Sequence, residues 1–378
     1  MTMKPLRVLS IFGTRPEAVK MAPVVQALAR EAEIDARVCV TAQHREMLDQ
    51  VLNLFNIRPN IDLNLMRPNQ TLAELTAQIL ENLDPVLADE HPDWVLVQGD
   101  TTTVMAASMA AFYRGIKIGH VEAGLRTGDK RQPFPEEINR RIAGVVADLH
   151  FAPTQLSREN LLREGVQPEH ILVTGNPGID ALQQIAQMPA PKEVQDWLKE
   201  WGIADKQRRL VLVTAHRREN FGEPIEDICR ALESLANTYQ DDLRIAYPVH
   251  LNPNIREPVN RILGKTPGVT LLPPIEYLSL VHLMKAASVI LTDSGGIQEE
   301  ATGLGKPALV LREVTERPEG LAAGVLKLVG TDPGRIVEQT RRLLDDESAY
   351  NAMAHAENPF GDGHAAGRIV RGILDYSL

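Results

Sequence analysis

Residues 291–300 read LTDSGGIQEE, an apolar run that leads through two glycines into a helical pattern. Gly295 and Gly296 would let the backbone N–H groups of a strand-to-helix turn approach an oxyanion. The first turn of the following helix directs its unpaired donors and positive dipole end to the same point. The stretch therefore predicts a phosphate site at the end of a strand. An Asp or Ser cap on an ordinary core helix, with glycine for a tight bend, is the alternative interpretation.

The same order of strand, turn and helix recurs along the rest of the chain. Helical spacing of apolar residues fills the intervals between the strands, for example at 45–55, 71–87 and 103–114. Strands that alternate with helices predict parallel sheets covered on both faces. The predicted strands are 6–11, 36–40, 94–97, 117–121, 149–152, 171–173, 210–214, 243–248, 269–272, 289–292 and 307–311.

The chain is long enough for two domains. Its 378 residues exceed what one hydrophobic core usually supports, and the alternation pauses around residues 188–191, which read MPAP. We therefore predict an α/β fold with two doubly wound Rossmann-like domains that face across a cleft. The boundary is placed between residues 175 and 176. An amphipathic helix at 365–376 could pack on either domain.

Composition and charge narrow the class of ligand. The net charge of −10 opposes binding to nucleic acid or to an anionic membrane, so a phosphate ligand should be small. Cys39 and Cys229 are the two cysteines, and buried free thiols in a reducing compartment are the favoured interpretation. No apolar run approaches the length of a membrane span, and a predicted strand begins within a few residues of Met1. We expect a cytoplasmic protein.

Ionisable residues follow many of the predicted strands. Ligands of doubly wound sheets bind beyond the carboxyl ends of the strands. Each residue alone could be a helix cap or a solvated turn charge, but together they favour a ligand site at this edge. They are Arg15, Lys20, Asp100, Glu122, Arg126, His216, Arg217, His250 and the stretch 293–296.

Several common types of site are absent from the sequence. No Gly-x-Gly-x-x-Gly follows a predicted strand, so the fingerprint of a dinucleotide cofactor is missing. Residues 303–307 read GLGKP, in which Pro307 replaces the Ser or Thr of a P-loop, and we interpret them as a helix C-cap. The ten histidines show no His-x-x-x-His or Cys/His cluster, which argues against a zinc site.

After these exclusions, the remaining candidate functional groups are a set of carboxylates and a phosphate site. Asp100, Glu122, Glu136 and Glu137 come from the first half, and His216 comes from the second half. If the halves face each other, these groups could act as acids and bases on a ligand whose phosphates lie on the second half. Arginine fits a diphosphate through its fork geometry. The basic candidates are Arg15, Lys20, Arg126, Arg217 and Arg317.

An ordered set of motifs makes the chain similar to a known family. The set resembles that of the bacterial non-hydrolysing UDP-N-acetylglucosamine 2-epimerases and extends nearly from end to end without large gaps. The motifs are FGTRPE at 12–17, QHREM at 43–47, QGDTT at 98–102, HVEAGLR at 120–126, PEE at 135–137, HRRE at 216–219, DSGGIQEE at 293–300 and TERPE at 315–319.

The resemblance implies a fold, a reaction and partners. The fold is the glycosyltransferase-B arrangement, in which a C-terminal helix, here 364–378, returns to the N-terminal, sugar-side domain, while 176–363 binds UDP. The reaction interconverts UDP-GlcNAc and UDP-ManNAc, through elimination of UDP to 2-acetamidoglucal and re-addition, and supplies ManNAc for surface polysaccharides. It needs no cofactor and no metal. The resemblance also implies a homodimer, and the net charge argues against a nucleic-acid or membrane partner.

The resemblance also assigns roles to residues. It implies a catalytic cluster of Asp100, Glu122, Glu136 and His216, with the choice of base and acid among the carboxylates left open. Phosphate contacts would come from Arg15, Ser294, Gly295 and Gly296, ribose contacts from Glu300, and the rest of the substrate shell from Lys20 and Arg317. Some relatives use UDP-GlcNAc as an activator at a second site, and the residues that match this site are Gln43, Arg217 and His250.

The chain departs from the family pattern at a few positions. Asn69 stands where the activator site has an arginine, and Ile275 and Leu280 stand where some relatives have Gln and Phe near the uracil. Three other functions share parts of the pattern. A hydrolysing epimerase would release free ManNAc, a UDP-sugar glycosyltransferase shares the fold and the glycine turn, and a nucleotide-sugar sensor would need no acid cluster.

Overall fold

The computed structural model describes residues 4–41, 45–65, 67 and 70–377. The chain divides into two compact units. The first unit runs to Ala181 and takes in the chain from Phe360 onward, and the second unit is Leu182–Pro359. The first boundary thus lies a few residues beyond 175/176, inside a helix, Pro177–Gln187.

The first unit contains a parallel sheet of seven strands within the described residues. The strand order is β3-β2-β1-β4-β5-β6-β7. The two-residue strand β3 at one edge was not predicted, since it is too short to show alternation. The strands are β1 Leu6–Phe12, β2 Ile34–Val40, β3 Ile61–Asp62, β4 Trp94–Gln98, β5 Lys117–Val121, β6 Leu149–Ala152 and β7 Ile171–Val173.

The helices of this part of the chain connect successive strands. Helix α3 has a capping box in which Thr71 accepts from Glu74 N and the Glu74 carboxylate accepts from Thr71 N. The helices are α1 Arg15–Leu28, α2 Arg45–Leu54, α3 Leu72–Glu90, α4 Thr102–Tyr113, α5 Glu136–Val146, α6 Gln155–Arg163 and α7 Pro177–Gln187, with a 3-10 turn at Pro168–His170.

The second unit repeats the architecture with six parallel strands among the described residues, in the order β10-β9-β8-β11-β12-β13. Its strands are β8 Arg209–Thr214, β9 Leu243–Pro248, β10 Val269–Leu272, β11 Val289–Thr292, β12 Ala308–Val310 and β13 Leu326–Leu328, of which β13 was not predicted. Its helices are α8 Lys192–Glu200, α9 Glu223–Tyr239, α10 Pro253–Leu263, α11 Tyr277–Ala286, α12 Gly295–Gly303, α13 Pro318–Ala322, α14 Pro333–Asp345 and α15 Glu347–Ala354. Short 3-10 turns lie at Arg218–Asn220 and Gln240–Asp242.

Each sheet is buried between helices, which explains the apolar runs in its strands. In the first unit Leu9 and Val97 are fully buried together with Leu83 of α3. In the second unit Val213 and Leu291 are fully buried together with Leu232 of α9. The two doubly wound sheets confirm the predicted fold class.

Strand order decides where polar residues meet. In the first sheet the connections from β1 reverse direction between β1 and β4, and in the second sheet the reversal lies between β8 and β11. At such a switch point the connections that follow the two strands lead in opposite directions. This leaves a crevice for ligands outside the carboxyl ends of the strands. The turns after β1, β4, β8 and β11 contain Arg15, Asp100, His216 and Ser294 respectively.

Helix α16, Ala365–Ser377, packs against the first unit. The Asp180 carboxylate of α7 accepts hydrogen bonds from Ala365 N at 3.2 Å and Ala366 N at 2.9 Å. At the other end, the Tyr376 and Trp94 rings meet edge to face at 5.5 Å. In the described part of the chain, no helix is long and apolar enough to cross a membrane.

Candidate active site

Glu17 joins two turns at the switch point of the first sheet. Its carboxylate accepts from Gly13 N at 3.1 Å and Thr14 N at 2.7 Å in the β1–α1 turn, and from Thr101 Oγ1 at 2.7 Å in the β4–α4 turn. A Cβ on Gly13 would lie 2.0 Å from Thr41 Oγ1, so this close approach requires glycine. Burial raises the pKa of Glu17 against these hydrogen bonds. The network fixes the turn that leads into Arg15.

Glu122 is held by donors on several sides. It follows β5 with a φ of 61°, and its side chain is almost fully buried. Lys20 Nζ lies 2.5 and 2.7 Å from the two carboxylate oxygens, Asn176 Nδ2 donates to Oε1 at 3.0 Å, and Gln98 Nε2 donates to Oε2. Because these contacts all come from donors, they favour the ionised carboxylate.

Asp100 lies at the end of β4 in a different environment. Its Oδ2 forms an ion pair with Arg140 at 2.6 Å, and its backbone carbonyl accepts from Asn139 Nδ2 at 3.0 Å. Burial is the main reason that the pKa of Asp100 is raised, and the Glu122 and Glu136 carboxylates act in the same direction against Arg140 and Lys20. A carboxyl group that holds its proton more tightly than usual is suited to general acid–base chemistry.

The two adjacent glutamates of α5 have different environments. Glu136 has a buried carboxylate oxygen, Oε2, with no hydrogen-bond partner in the described part of the protein. Glu137 is fully buried and accepts from Thr127 N at 3.1 Å and from Arg141 at 2.9 Å. Burial alone would raise the pKa of Glu137, but these donors and Arg140 hold it below its usual value. Glu137 is therefore an anchor for the 127–128 loop and for Arg140.

The switch point of the second sheet is built around Asp293, which follows β11. This carboxylate is fully buried, and its Oδ2 accepts from His216 N and Arg217 N, both at 2.8 Å. Its Oδ1 lies 3.5 Å from His216 Nδ1. The His216 ring stacks on His250 with centroids 5.8 Å apart and planes inclined by 14°. Burial lowers the pKa of His216, as do His250 and Arg217, whereas Asp293 raises it.

The glycine stretch forms the start of α12, with Ser294 as the N-cap. A Cβ at Gly296 would meet nothing within 4 Å, so this part of the helix N-terminus is open. A Cβ at Gly295 would lie 3.8 Å from the Arg317 guanidinium and 3.9 Å from that of Arg217. Unpaired helix N–H groups, the positive dipole end and two guanidinium groups thus occur together, which suits an anion.

Glu300 lies one turn further along α12. Tyr277 at the start of α11 donates from its hydroxyl to Glu300 Oε1 at 3.0 Å. Arg317 Nε forms an ion pair with the neighbouring Glu299. Both Tyr277 and Glu299 are buried.

Sequence reasoning singled out the candidate site residues but missed several side chains that contact them. Five other residues contact the predicted ones, and of these only Gln98 and Asp293 lay in stretches that were singled out. The remaining three are Arg140, Asn176 and Tyr277. Arg126 pairs instead with Glu164, with 2.7 Å between Nη2 and Oε2. Gln43 and Asn69 lie outside the described residues. No cluster of three or more His, Cys, Asp or Glu side chains arranged for a metal ion occurs among those described.

The two Rossmann-like units place the chain in the class of glycosyltransferase-B-like α/β proteins. Comparison with known proteins then identifies the family. The family model for UDP-N-acetylglucosamine 2-epimerase matches residues 26–374. The UDP-N-acetylglucosamine 2-epimerase of Escherichia coli K12 is 57% identical over 370 residues, which is 97% of this chain and 98% of that protein. The enzyme of the same name from Bacillus subtilis is 51% identical over 372 residues, covering 98% and 96%.

Comparison with solved structures identifies the same family. The Neisseria meningitidis UDP-GlcNAc 2-epimerase bound to UDP-GlcNAc is 48% identical, with a TM-score of 0.86 over 98% of this chain and 100% of that one. The S. aureus MnaA structure with UDP is also 48% identical, with a TM-score of 0.86 over 99% and 97%. This chain belongs to the UDP-N-acetylglucosamine 2-epimerase family, which confirms the family predicted from the ordered motifs.

Proposed function

We propose that this protein interconverts UDP-GlcNAc and UDP-ManNAc by inversion at C2, without net hydrolysis. Membership of the epimerase family supports the substrate and the reaction. The observation that carries the proposal is the cluster of Asp100, Glu122 and Glu136, because inversion at C2 needs one group to remove a proton on one face of the sugar and another to return a proton on the opposite face.

The proposed reaction balances as an elimination followed by an addition. A carboxylate takes the C2 proton, the C–H electron pair forms the C1–C2 double bond of 2-acetamidoglucal, and the C1–O pair leaves with UDP. UDP then adds back to C1 while a carboxyl group protonates C2 on the opposite face. Asp100, with its raised pKa, and Glu122, surrounded by donors, differ enough to take different roles.

The second unit supplies most of the groups proposed to hold UDP, and Arg15 and Lys20 come from the first unit. The N-terminus of α12, at Ser294, Gly295 and Gly296, is assigned to the diphosphate together with Arg15 and Arg317. Glu300 is assigned to the ribose hydroxyls, and Lys20 to the substrate shell beside Glu122. His216 is assigned to the leaving diphosphate. Charge that develops as C1–O breaks would be stabilised by these donors, so they contribute to the chemical step.

One experiment tests the reaction against its alternatives. The protein is incubated with UDP-GlcNAc in D2O, and C2 is followed by NMR. The proposal predicts deuterium at C2 in UDP-sugars of both configurations. Accumulation of free ManNAc and UDP would indicate the hydrolysing type. Absence of exchange would contradict epimerisation and leave a glycosyltransferase or a sensor.

A second UDP-GlcNAc molecule is proposed as an activator. Arg217 lies beside the N-terminus of α12, and His250 stacks on His216, so a ligand that contacts this pair would act close to the proposed diphosphate site. We expect a sigmoidal rate against UDP-GlcNAc, and UDP-ManNAc alone to be turned over poorly. Hyperbolic kinetics together with normal turnover of UDP-ManNAc alone would reject activation.

The first unit carries an apolar surface that supports the proposed homodimer. Phe112 and Tyr113 at the end of α4 are 55% and 70% exposed, and Val145 near the end of α5 is 84% exposed. Helices α4 and α5 contact each other, and large apolar side chains exposed on neighbouring helices suit an interaction surface. We expect light scattering to give twice the chain mass, and Phe112→Ser with Val145→Ser to shift the protein toward monomer. A monomeric wild-type protein would contradict the proposal.

A further inference from the structure

The Asp293 carboxylate of the second unit makes more contacts than the formation of a phosphate-binding turn requires. Its Oδ2 accepts from the backbone of His216 and Arg217 and from Asn220 Nδ2 at 2.9 Å, which joins the turn after β11 to the turn after β8. The side chain is fully buried. These contacts account for one carboxylate oxygen and leave the other to be explained.

The second oxygen faces His216. Oδ1 is buried, has no hydrogen-bond partner in the part of the chain that the structure describes, and lies 3.5 Å from His216 Nδ1. A buried carboxylate oxygen without a donor is costly, and a proton on His216 Nδ1 would provide a donor within contact distance. Catalytic hydrogen bonds are often longer before the ligand is bound. A small shortening of this 3.5 Å distance would make a hydrogen bond between the Asp293 carboxylate and the His216 imidazole.

We propose that Asp293 is the positioning residue of His216. It selects the tautomer with the proton on Nδ1, fixes the ring together with the stack on His250, and stabilises the imidazolium when an anionic diphosphate is bound. Nε2 is then the nitrogen available to the ligand, where the imidazolium donates to the phosphate oxygen that receives the C1–O electron pair. This inference rests on the proposed function. The Asp293 carboxylate itself contacts no reacting atom.

Burial is the main reason that the pKa of His216 lies below its usual value, which favours the neutral ring in the unliganded protein near pH 7. The titratable and charged groups that face it are Asp293, His250 and Arg217, of which only Asp293 favours the cation. Binding of a diphosphate adds negative charge and so favours proton uptake. The carboxylate opposite Nδ1 thus decides how readily the ring becomes charged during the reaction.

The first test needs no variant and no turnover. The ring nitrogens of His216 are observed by 15N NMR at pH 8, where the ring is neutral, in the wild-type protein without ligand. A protonated Nδ1 and an unprotonated Nε2 are expected. The opposite tautomer would overturn the proposal. Because this result does not depend on activity, it stands apart from any failure of the epimerase reaction.

The second test uses Asp293→Asn. An amide oxygen can still accept from the backbone of His216 and Arg217, but the amide N–H group facing Nδ1 forces the proton onto Nε2 and removes the charge. We expect kcat to fall by about 10² to 10³, with KM within roughly threefold, and the alkaline limb of kcat to move to lower pH. An unchanged kcat and pH profile would overturn the proposal.

Two matched variants separate positioning from structure. Asn220→Ser removes a donor to the other oxygen, so it should lower the melting temperature and leave the His216 tautomer unchanged. In a His216→Ala background, Asp293→Asn should have no further effect on kcat, since the residue acts through the ring. A further loss of the same size as in the wild-type background would overturn the proposal.

Discussion

At the scale of single residues, Asp100 and Glu122 show one chemical group in two environments. Glu122 is enclosed by Lys20, Gln98 and Asn176, whereas Asp100 forms an ion pair with Arg140 and has a raised pKa. Carboxyl groups whose environments differ in this way can divide the roles of acid and base. The contacts of each carboxylate therefore say as much about its role as its residue type does.

Replacement of these acids should reduce turnover more than binding. Asp100→Asn and Glu122→Gln keep the shape of the side chain but remove the group that is proposed to transfer the proton, so we expect kcat to fall by about 10² to 10⁴ with little change in the affinity for UDP. Asp84→Asn, which disrupts an exposed ion pair with Arg114, is the control. Equal losses of affinity and turnover would indicate binding roles instead.

Buried histidines make the first unit sensitive to acid. His120, whose Nε2 lies 2.7 Å from Gly99 O, is almost fully buried, and burial lowers its pKa to about 4. The pKa of His120 in the folded protein lies below the unfolded value of about 6.5. The neutral, buried ring is therefore fully accommodated above pH 6.5, and the protein loses stability as the pH falls below that value. From pH 7 to pH 5 we expect His120 to reduce the free energy of unfolding by about 2 kcal/mol.

Denaturant unfolding at pH 7 and pH 5 measures this loss. His120→Gln should lose less stability than the wild-type protein over this range, because one titrating group is removed. The exposed residue His364 provides the matched control, and His364→Gln should follow the wild-type curve. If His120→Gln also follows the wild-type curve, the assignment to His120 is wrong.

The residue scale also shows what sequence could and could not predict. Asp100, Glu122, His216 and Ser294 were predictable because each follows an apolar strand at the edge where parallel sheets bind ligands. Their partners were not, since contacts such as Asn176 to Glu122 join positions far apart in the chain. Spacing along one strand or helix carries no information about such contacts.

At the scale of elements, periodicity predicted the long buried strands and failed for the short edge strands β3 and β13. Two or three side chains do not establish a period, so strands this short are detected unreliably: the three-residue strands β7 and β12 were predicted, and β13 was not. Helix α16 was predicted as a helix, but amphipathic spacing could not choose its unit. Asp180 at its N-terminus and Trp94 near its C-terminus supply that choice through contacts.

Asp180 should determine how firmly α16 is docked. Asp180→Ala leaves the Ala365 and Ala366 N–H groups without their carboxylate acceptor, and we expect a loss of about 1–2 kcal/mol, similar to that of a helix N-cap. Hydrogen exchange should become faster in α16. Asp375→Asn on the exposed side of the same helix is the control. Unchanged exchange in α16 would show that other contacts suffice.

At the scale of the whole molecule, each unit has its own hydrophobic core. Leu83 belongs to the core of the first unit and Leu232 to that of the second, and both are fully buried. Truncation of a buried leucine to alanine costs about 2–5 kcal/mol. The effect of each truncation should therefore be strongest in its own unit.

Hydrogen exchange resolved by peptide can test this independence. Leu83→Ala should accelerate exchange mainly in residues up to 181 and from 360, and Leu232→Ala mainly in residues 182–359. The two variants serve as controls for each other. Equal acceleration throughout the molecule in both variants would mean that the two cores unfold as one cooperative body.

The return of the chain to the first unit has a consequence for biosynthesis. Asn176 N donates to Phe360 O at 2.8 Å, so the segments before and after the second unit meet, and that unit is inserted within the first. The ribosome makes residues 182–359 as one continuous segment, which can fold as soon as it emerges. The first unit, although begun earlier, must wait for α16. The domain that is started first is therefore completed last, and the surface that α16 covers stays unfilled while the other domain is synthesised.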